Sequence, residues 1–290
     1  MSAARKSNQH QIAGTKMQGH QIINWQNWSE QLWKEAESGW LNRDGQDHFY
    51  RQAVVLPAVN QAVTSLPKRP NSIIDLGCGD GHSTSLLVAE LKRRRWRPSI
   101  ILADRSQYLL NATRRDIELI EAQLVQTDFT NTSWWQEFPE IRHPAILFAH
   151  FLLQELPDLT CFFKGIKELM LEDSCLFAVV PAPRYVESLR RSSRARVIMM
   201  GADDDDWKWV GEYPISIPCG SLALPHFQRT IGDYRCAAKN NNISMIEHYD
   251  LYVPDTKSAR NVFSDTVYGH GIIGQPSSKL LVFTKKDDSL

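Results

Sequence analysis

One stretch narrows the choice of folds more than any other: Ile73-Ile-Asp-Leu-Gly-Cys-Gly-Asp-Gly-His82. An apolar run of strand length passes into Gly77, Gly79 and Gly81, and helical apolar spacing begins near Ser83. Glycine at these positions lets the chain turn sharply and lets a ligand approach the backbone with no Cβ in the way. The N–H groups that open the following helix add a partial positive field. A strand-to-helix turn without a ligand is the alternative reading of the same residues.

The pattern around this loop sets the fold class. Apolar runs of strand length occur at Ser72–Leu76, Ser99–Ala103, Leu124–Gln126, Ala145–Ala149 and Cys175–Val180. Between them, Ser83–Arg95, Gln107–Glu121, Trp134–Phe138 and Leu159–Leu171 read as helical or partly helical. Such alternation implies right-handed β-α-β crossovers and an α/β fold whose mostly parallel sheet carries helices on both faces. Ile243–Val253 and Lys279–Thr284 are late strand candidates. His48–Val63 is helical, with Pro57 as an interruption or a helix start. Residues 184–224 read as irregular and too long for a simple connection, which predicts a lid insertion.

Charge chooses among ligands for the glycine loop. The dinucleotide fingerprint spaces its glycines as G-x-G-x-x-G with an acid about 20 residues on, whereas here the third glycine comes one place early, at Gly81. Asp75 stands two residues before the first glycine. That carboxylate repels a pyrophosphate and attracts an amino group or a sulfonium.

The segment resembles motif I of the class I S-adenosylmethionine-dependent methyltransferases, an apolar strand followed by Asp-x-Gly-x-Gly-x-Gly. The likeness continues in order through Ile100-Ile-Leu-Ala-Asp104, Val125-Gln-Thr-Asp128-Phe129 and Ala145-Ile-Leu-Phe-Ala-His150-Phe-Leu-Leu-Gln154-Glu155-Leu. It implies a Rossmann-like, seven-stranded, mostly parallel sheet and S-adenosylmethionine as cofactor, released as S-adenosylhomocysteine. It further implies a cofactor site drawn from Asp75, Gly77, Cys78, Gly79, Asp104, Arg105, Asp128, Phe129, Ala149 and His150. In such a site Asp104 holds the ribose hydroxyls, and Asp128 with the next backbone N–H reads the adenine edge. The family often has Asn or Ser in place of His150 and paired histidines in place of Gln154 and Glu155. Each acid has a second reading: Asp128 as a helix cap, Asp104 as a surface partner of Arg105. Their places at carboxyl ends of predicted strands, where ligands bind in open α/β sheets, favour the functional one.

Methyl transfer mainly needs alignment and exclusion of water. A phenol or alcohol acceptor also benefits from a general base, for which histidine suits neutral pH. His150 and His226 are the catalytic candidates. Leu224-Pro-His226-Phe-Gln-Arg229 resembles a family segment near the acceptor, where Arg229 either binds a carboxylate or anchors its helix to the sheet. Gln154, Arg229, Tyr50 and Trp207 are the substrate-side candidates, and Tyr50 with Arg51 falls where the family places groups near the cofactor carboxylate. Asp203-Asp-Asp-Asp206-Trp207-Lys-Trp209 either attracts a cation or forms a solvated loop tip. Arg184, Arg190, Arg191, Arg194 and Arg196 scatter on helical spacing, which predicts a solvated face.

Composition narrows the rest. Lys plus Arg and Asp plus Glu both number 33, so the basic excess of a general nucleic-acid binder is missing. No apolar run approaches the ~20 residues of a membrane span. The cysteines, Cys78, Cys161, Cys175, Cys219 and Cys236, are never spaced C-x-x-C, so they read as buried thiols in a reducing compartment. No metal site is predicted. The expected layout is a polar tail at 1–20, a helical cap at 21–66 rich in tryptophan, and the cofactor domain at 67–290 with its lid at 184–224. The expected protein is a cytoplasmic monomer or homodimer that methylates an oxygen or nitrogen of a small molecule of specialised metabolism, without nucleic-acid or membrane partners. A macromolecular acceptor, or cofactor binding without methyl transfer, are the alternatives.

Overall fold

The computed structural model describes residues 46–114, 119, 121–171, 173–182, 196–200, 208–217, 220–224, 227, 229–263 and 272–286. The chain builds a seven-stranded sheet from β1 (Ser72–Leu76), β2 (Ser99–Asp104), β3 (Gln123–Gln126), β4 (Ala145–His150), β5 (Cys175–Pro181), β9 (Ile243–Tyr252) and β10 (Pro276–Lys285). Their order is β3-β2-β1-β4-β5-β10-β9. β1 to β5 pair in parallel, and β10 is antiparallel to both of its neighbours. The expected strand centres all hold, with the ends of β2, β4, β5 and β10 running further than the apolar runs alone.

The physical cause is two-sided burial. β1 is buried along its length and β4 through Ala149, so these strands read as continuous apolar runs. Residues of alternate parity enter two cores. Ile74, Leu76, Leu147 and Phe163 lie in one, while Ile73, Ile146, Phe148 and Val179 lie in the other. Helices α3 (His82–Arg93), α4 (Gln107–Thr113), α5 (Thr160–Leu169), α6 (Ile231–Lys239) and α7 (Lys257–Phe263) connect or flank the strands. α6 opens with a capping box, Thr230 Oγ1 accepting from Asp233 N–H while Asp233 accepts from Thr230 N–H.

The N-terminal segment is one run of helix with a change of register. α1 (Gln46–Tyr50) passes into a π turn, Arg51–Val55, and then α2 (Leu56–Thr64). Pro57, which carries no N–H for an i→i−4 bond, lies in the first turn of α2. The wider turn just before it, closed by Leu56 N–H to Arg51 O, accommodates that loss.

Two expectations are corrected. Residues 184–224 are not irregular throughout: β6 (Arg196–Met200), β7 (Lys208–Ile217) and β8 (Gly220–Leu224) pair as an antiparallel three-stranded sheet. Pro214 breaks the alternation, and the β7–β8 register shifts between Tyr213 and Ile217, where a strand tolerates a residue without an N–H. Arg196 therefore opens a strand and does not lie on a helical face. Nor are the thiols uniformly buried, since Cys236 on α6 is exposed while Cys78 and Cys175 are buried. Cys219, the tryptophan-rich part of the cap, the acidic run Asp203–Asp206 and the arginines from 184 to 194 lie outside the described residues. Among the described residues no helix is long and apolar enough to cross a membrane, and no group of three His, Cys, Asp or Glu side chains is arranged to hold a metal ion.

Candidate functional site

The strand order reverses between β1 and β4. The chain steps from β1 out to β2 and β3, then returns to add β4 and β5 on the other side. Loops leaving adjacent strands at such a point diverge, which opens a crevice at the carboxyl edge of the sheet. The glycine loop follows β1 and His150 ends β4, so both border that crevice.

Gly77, Gly79 and Gly81 have φ of 72°, 56° and 76°, the left-handed region that penalises a Cβ. Space adds a second constraint at Gly81, where a Cβ would lie 2.6 Å from Leu119 Cδ1. The loop is tied to β2 by Gly77 N–H and Cys78 N–H, which donate to Ala103 O at 2.8 and 3.0 Å. Asp104 completes the tie. Its Oδ2 accepts from Gly79 N–H and its Oδ1 from Ser106 N–H, both at 2.8 Å. Burial pushes this carboxyl up from its ordinary value, while the two N–H groups pull it back. Asp104 thus bridges loop and strand, with the Arg105 charge beside it also favouring the ionised carboxyl.

Asp75 lies beneath the loop with 1 % exposure. Thr84 Oγ1 donates to its Oδ2, and its buried Oδ1 has no hydrogen-bond partner. Burial pushes the carboxyl up to about 7, with the neighbouring Asp104 and Asp80 charges acting in the same direction. A cation nearby offsets both causes.

At the end of β4, His150 stacks with Phe148 and Phe151, with ring centroids 5.9 and 4.5 Å away. Its Nδ1 is 2.7 Å from Ser83 Oγ, and Arg51 Nη1 donates to that same oxygen at 2.5 Å. Arg51, Ser83 and His150 come from the π turn, the first turn of α3 and the end of β4. Sequence reasoning missed Ser83 and Thr84. The hydroxyl run Ser83-Thr84-Ser85 directly after Gly81 is the signal that could have found them. A second contact joins the N-terminal helix to the loop, His48 Nδ1 lying 2.9 Å from His82 Nε2.

The remaining candidates separate. Asp128 Oδ1 accepts from Thr130 N–H and Oγ1 at 2.9 and 2.7 Å, a turn-closing role. Phe129 packs its ring on Trp134 and Phe162 in the core. Tyr50 donates or accepts at Ser277 and Ser278 of β10, 2.9 and 2.6 Å away. Arg229 donates to the carbonyls of Leu153, Leu156 and Pro157 at 2.8, 2.6 and 3.0 Å. That is the anchoring arrangement, and its guanidinium is engaged with the backbone of the turn after β4. In the same turn Gln154 donates from Nε2 to Phe151 O and keeps a buried Oε1 without a hydrogen-bond partner. His226 and Trp207 lie outside the described residues.

The donor set fits an adenosyl cofactor. A rigid carboxylate at the end of β2 suits a ribose diol, an orphaned buried carboxyl oxygen suits an ammonium, and a glycine cradle admits a ligand to the backbone.

No family model matches the chain, and no curated protein matches it in sequence. Solved structures do match in fold. An S-adenosylmethionine-dependent methyltransferase from Clostridium acetobutylicum ATCC 824 superposes with a TM-score of 0.55 at 10% identity, covering 89% of this chain and 99% of its own. The CcbJ methyltransferase from Streptomyces caelestis gives 0.53 at 12% identity, over 87% and 96% of the two chains. A chain of a complex that contains the Haloferax volcanii Trm112 methyltransferase activator gives 0.54 at 13% identity, over 92% and 97%.

Proposed function

Proceeding from a chain that has the fold of the class I S-adenosylmethionine-dependent methyltransferases, we propose that it binds S-adenosylmethionine and transfers the methyl group to an oxygen or nitrogen of a small-molecule acceptor. The observation that carries this reading is the Asp104 carboxylate, clamped between Gly79 N–H and Ser106 N–H at the mouth of the crevice. Those two bonds orient the carboxylate as an acceptor for the ribose hydroxyls.

The other assignments follow from position. Gly77, Cys78 and Gly79 supply backbone against the cofactor. Asp75 supplies negative charge for its ammonium group, and Arg51 supplies positive charge for its carboxylate. Asp128 and the N–H of Phe129 face the adenine, and Arg105 and Ala149 border the site. When bound, the cofactor would supply a methyl carbon made electrophilic by its sulfonium. The chain's own part is to align that acceptor and exclude water. His150 and the buried Oε1 of Gln154 are the side chains we assign to the acceptor side.

Calorimetric titration with S-adenosylmethionine and S-adenosylhomocysteine tests the reading, with NAD as control. Saturable binding of the adenosyl ligands is expected, weakened by Asp104→Ala by about 1–3 kcal/mol for lost hydrogen bonds to a charged group. No binding to well-folded chain in the presence of candidate acceptors overturns it. Labelled methyl then reports the acceptor class. Incorporation into a low-molecular-weight extract is expected, and label in protein or RNA instead redirects the assignment to a macromolecular acceptor.

A further inference from the structure

The contact between Ser83 and His150 has a direction, and that direction bears on what His150 can do. A guanidinium only donates, so Arg51 occupies one lone pair of Ser83 Oγ. Two arrangements remain for the 2.7 Å contact to His150 Nδ1. Either the Ser83 hydroxyl donates to a bare Nδ1, or a protonated Nδ1 donates to the second lone pair of Oγ.

Three features favour the first. A charged donor acting on Oγ makes the hydroxyl proton a better donor, so the bonds reinforce one another when they run Arg51 to Ser83 to His150. The reverse arrangement brings two positively polarised hydrogens onto one oxygen. Ser83 is also the second residue of α3, whose N-cap is Gly81, and the partial positive charge of that helix end adds to the guanidinium. The positive end of a helix disfavours protonation of an imidazole beside it. Asp75, a group of opposite sign, is in register with Phe148 across the β1–β4 pair. It is bonded to Thr84 on α3.

We infer that Ser83, polarised by Arg51, is a positioning residue that holds His150 as the neutral imidazole with its proton on Nε2, a buried atom, so that His150 is a hydrogen-bond donor to an acceptor that reaches it and not a general base. The functional consequence rests on the methyltransferase reading above. A donor of this kind suits an acceptor that arrives already ionised at oxygen, a carboxylate being the matching class. One oxygen takes the Nε2–H bond, the other stays available, and no proton has to be removed. An alkyl alcohol, which needs a base, is then a poor acceptor.

The tautomer is measurable on the ligand-free chain by long-range proton–nitrogen correlation on histidine-labelled protein at neutral pH. The His150 signals are assigned by their loss in His150→Gln. A bare Nδ1 and a protonated Nε2 are expected, retained in Ser83→Thr and lost to a mixture of tautomers in Ser83→Ala. A protonated Nδ1 with a bare Nε2, or a doubly protonated ring, overturns the inference whatever the chain turns over. A second readout uses turnover of the acceptor found in the labelling experiment. Gln places an N–H where His has Nε2 but cannot act as a base. His150→Gln is expected to stay within about tenfold of wild type while His150→Ala falls by about 10²–10³. Equal, deep losses in both variants overturn the donor role. Failure of the methyltransferase reading shows separately, as absence of cofactor binding with the tautomer result intact.

Discussion

Asp75 is the residue at which ligand, charge and stability meet. Its carboxyl is buried, bonded through one oxygen to Thr84, and pushed up to about 7 by burial first and by the Asp104 and Asp80 charges after it. A folded value above the unfolded one of 3.8 means that the folded state binds more protons between these limits. Stability contributed by this group is therefore highest in acid and declines as pH rises from about 4 to about 7. Asp75→Asn removes the cost of ionising the buried group. Its melting temperature is expected to exceed wild type by most at pH 8 and by least near pH 4, and an equal difference at both pH values rejects the assignment. Ligand binding reverses the preference. If Asp75 faces the cofactor ammonium, binding favours the ionised carboxyl and releases a proton near pH 7. Calorimetry in buffers of different ionisation enthalpy reads that release, which Asp75→Asn abolishes.

At the scale of elements, packing overrules intrinsic preference. Gly165 lies inside α5, where alanine is ordinarily better by about 1 kcal/mol. Here a Cβ would sit 2.3 Å from the indole of Trp134, a side chain with 0 % exposure in the larger core. Trp134 is stacked on Phe162 and donates to Cys161 O at 3.2 Å, so it cannot withdraw without disturbing α5 itself. Overpacking of this kind costs about 1–3 kcal/mol. Gly165→Ala is therefore expected to lower the denaturation midpoint despite its helix propensity, and a raised midpoint contradicts the packing. The π turn at Arg51–Val55 shows the same rule from the other side. Local sequence calls for helix through Pro57, and the chain keeps it by widening one turn. Arg51, the first residue of that turn, has a buried side chain directed at Ser83.

Across the whole molecule, a few long-range bonds hold separate stretches to the crevice. Arg229 reaches back more than seventy residues to three carbonyls of the turn after β4. Phe227 N–H donates to Gln154 O in the same turn. Burial pulls the guanidinium below its ordinary value and pushes its hydrogen-bonded neighbour Tyr234 up to about 12, and neither shift changes a charge near neutral pH. Arg229→Met strips three carbonyls of a charged donor and is expected to cost about 3 kcal/mol or more of stability. Thermal denaturation with and without cofactor checks it. A variant with wild-type stability that loses only acceptor binding would restore the ligand-binding alternative.

What the amino-acid order determined by itself was local. The strand–glycine–helix turn, the acids at the ends of β2 and β3, and the alternation of buried runs with helices lie in consecutive residues, where steric limits and hydrophobic period leave few options. The three-stranded sheet at 196–224 was not legible, because Pro214 and the glycines around it interrupt the alternation that marks a strand. Nor could a linear reading choose between the two roles of Arg229, since carboxylates and carbonyls offer the same guanidinium equivalent acceptors. Only the tertiary structure decided that it faces carbonyls. Only the tertiary structure brought Arg51, Ser83 and His150, separated by 32 and 67 positions, onto one chain of hydrogen bonds. The reason is physical: a bond's direction depends on what lies at both ends, and those ends meet only when the sheet and its helices have packed.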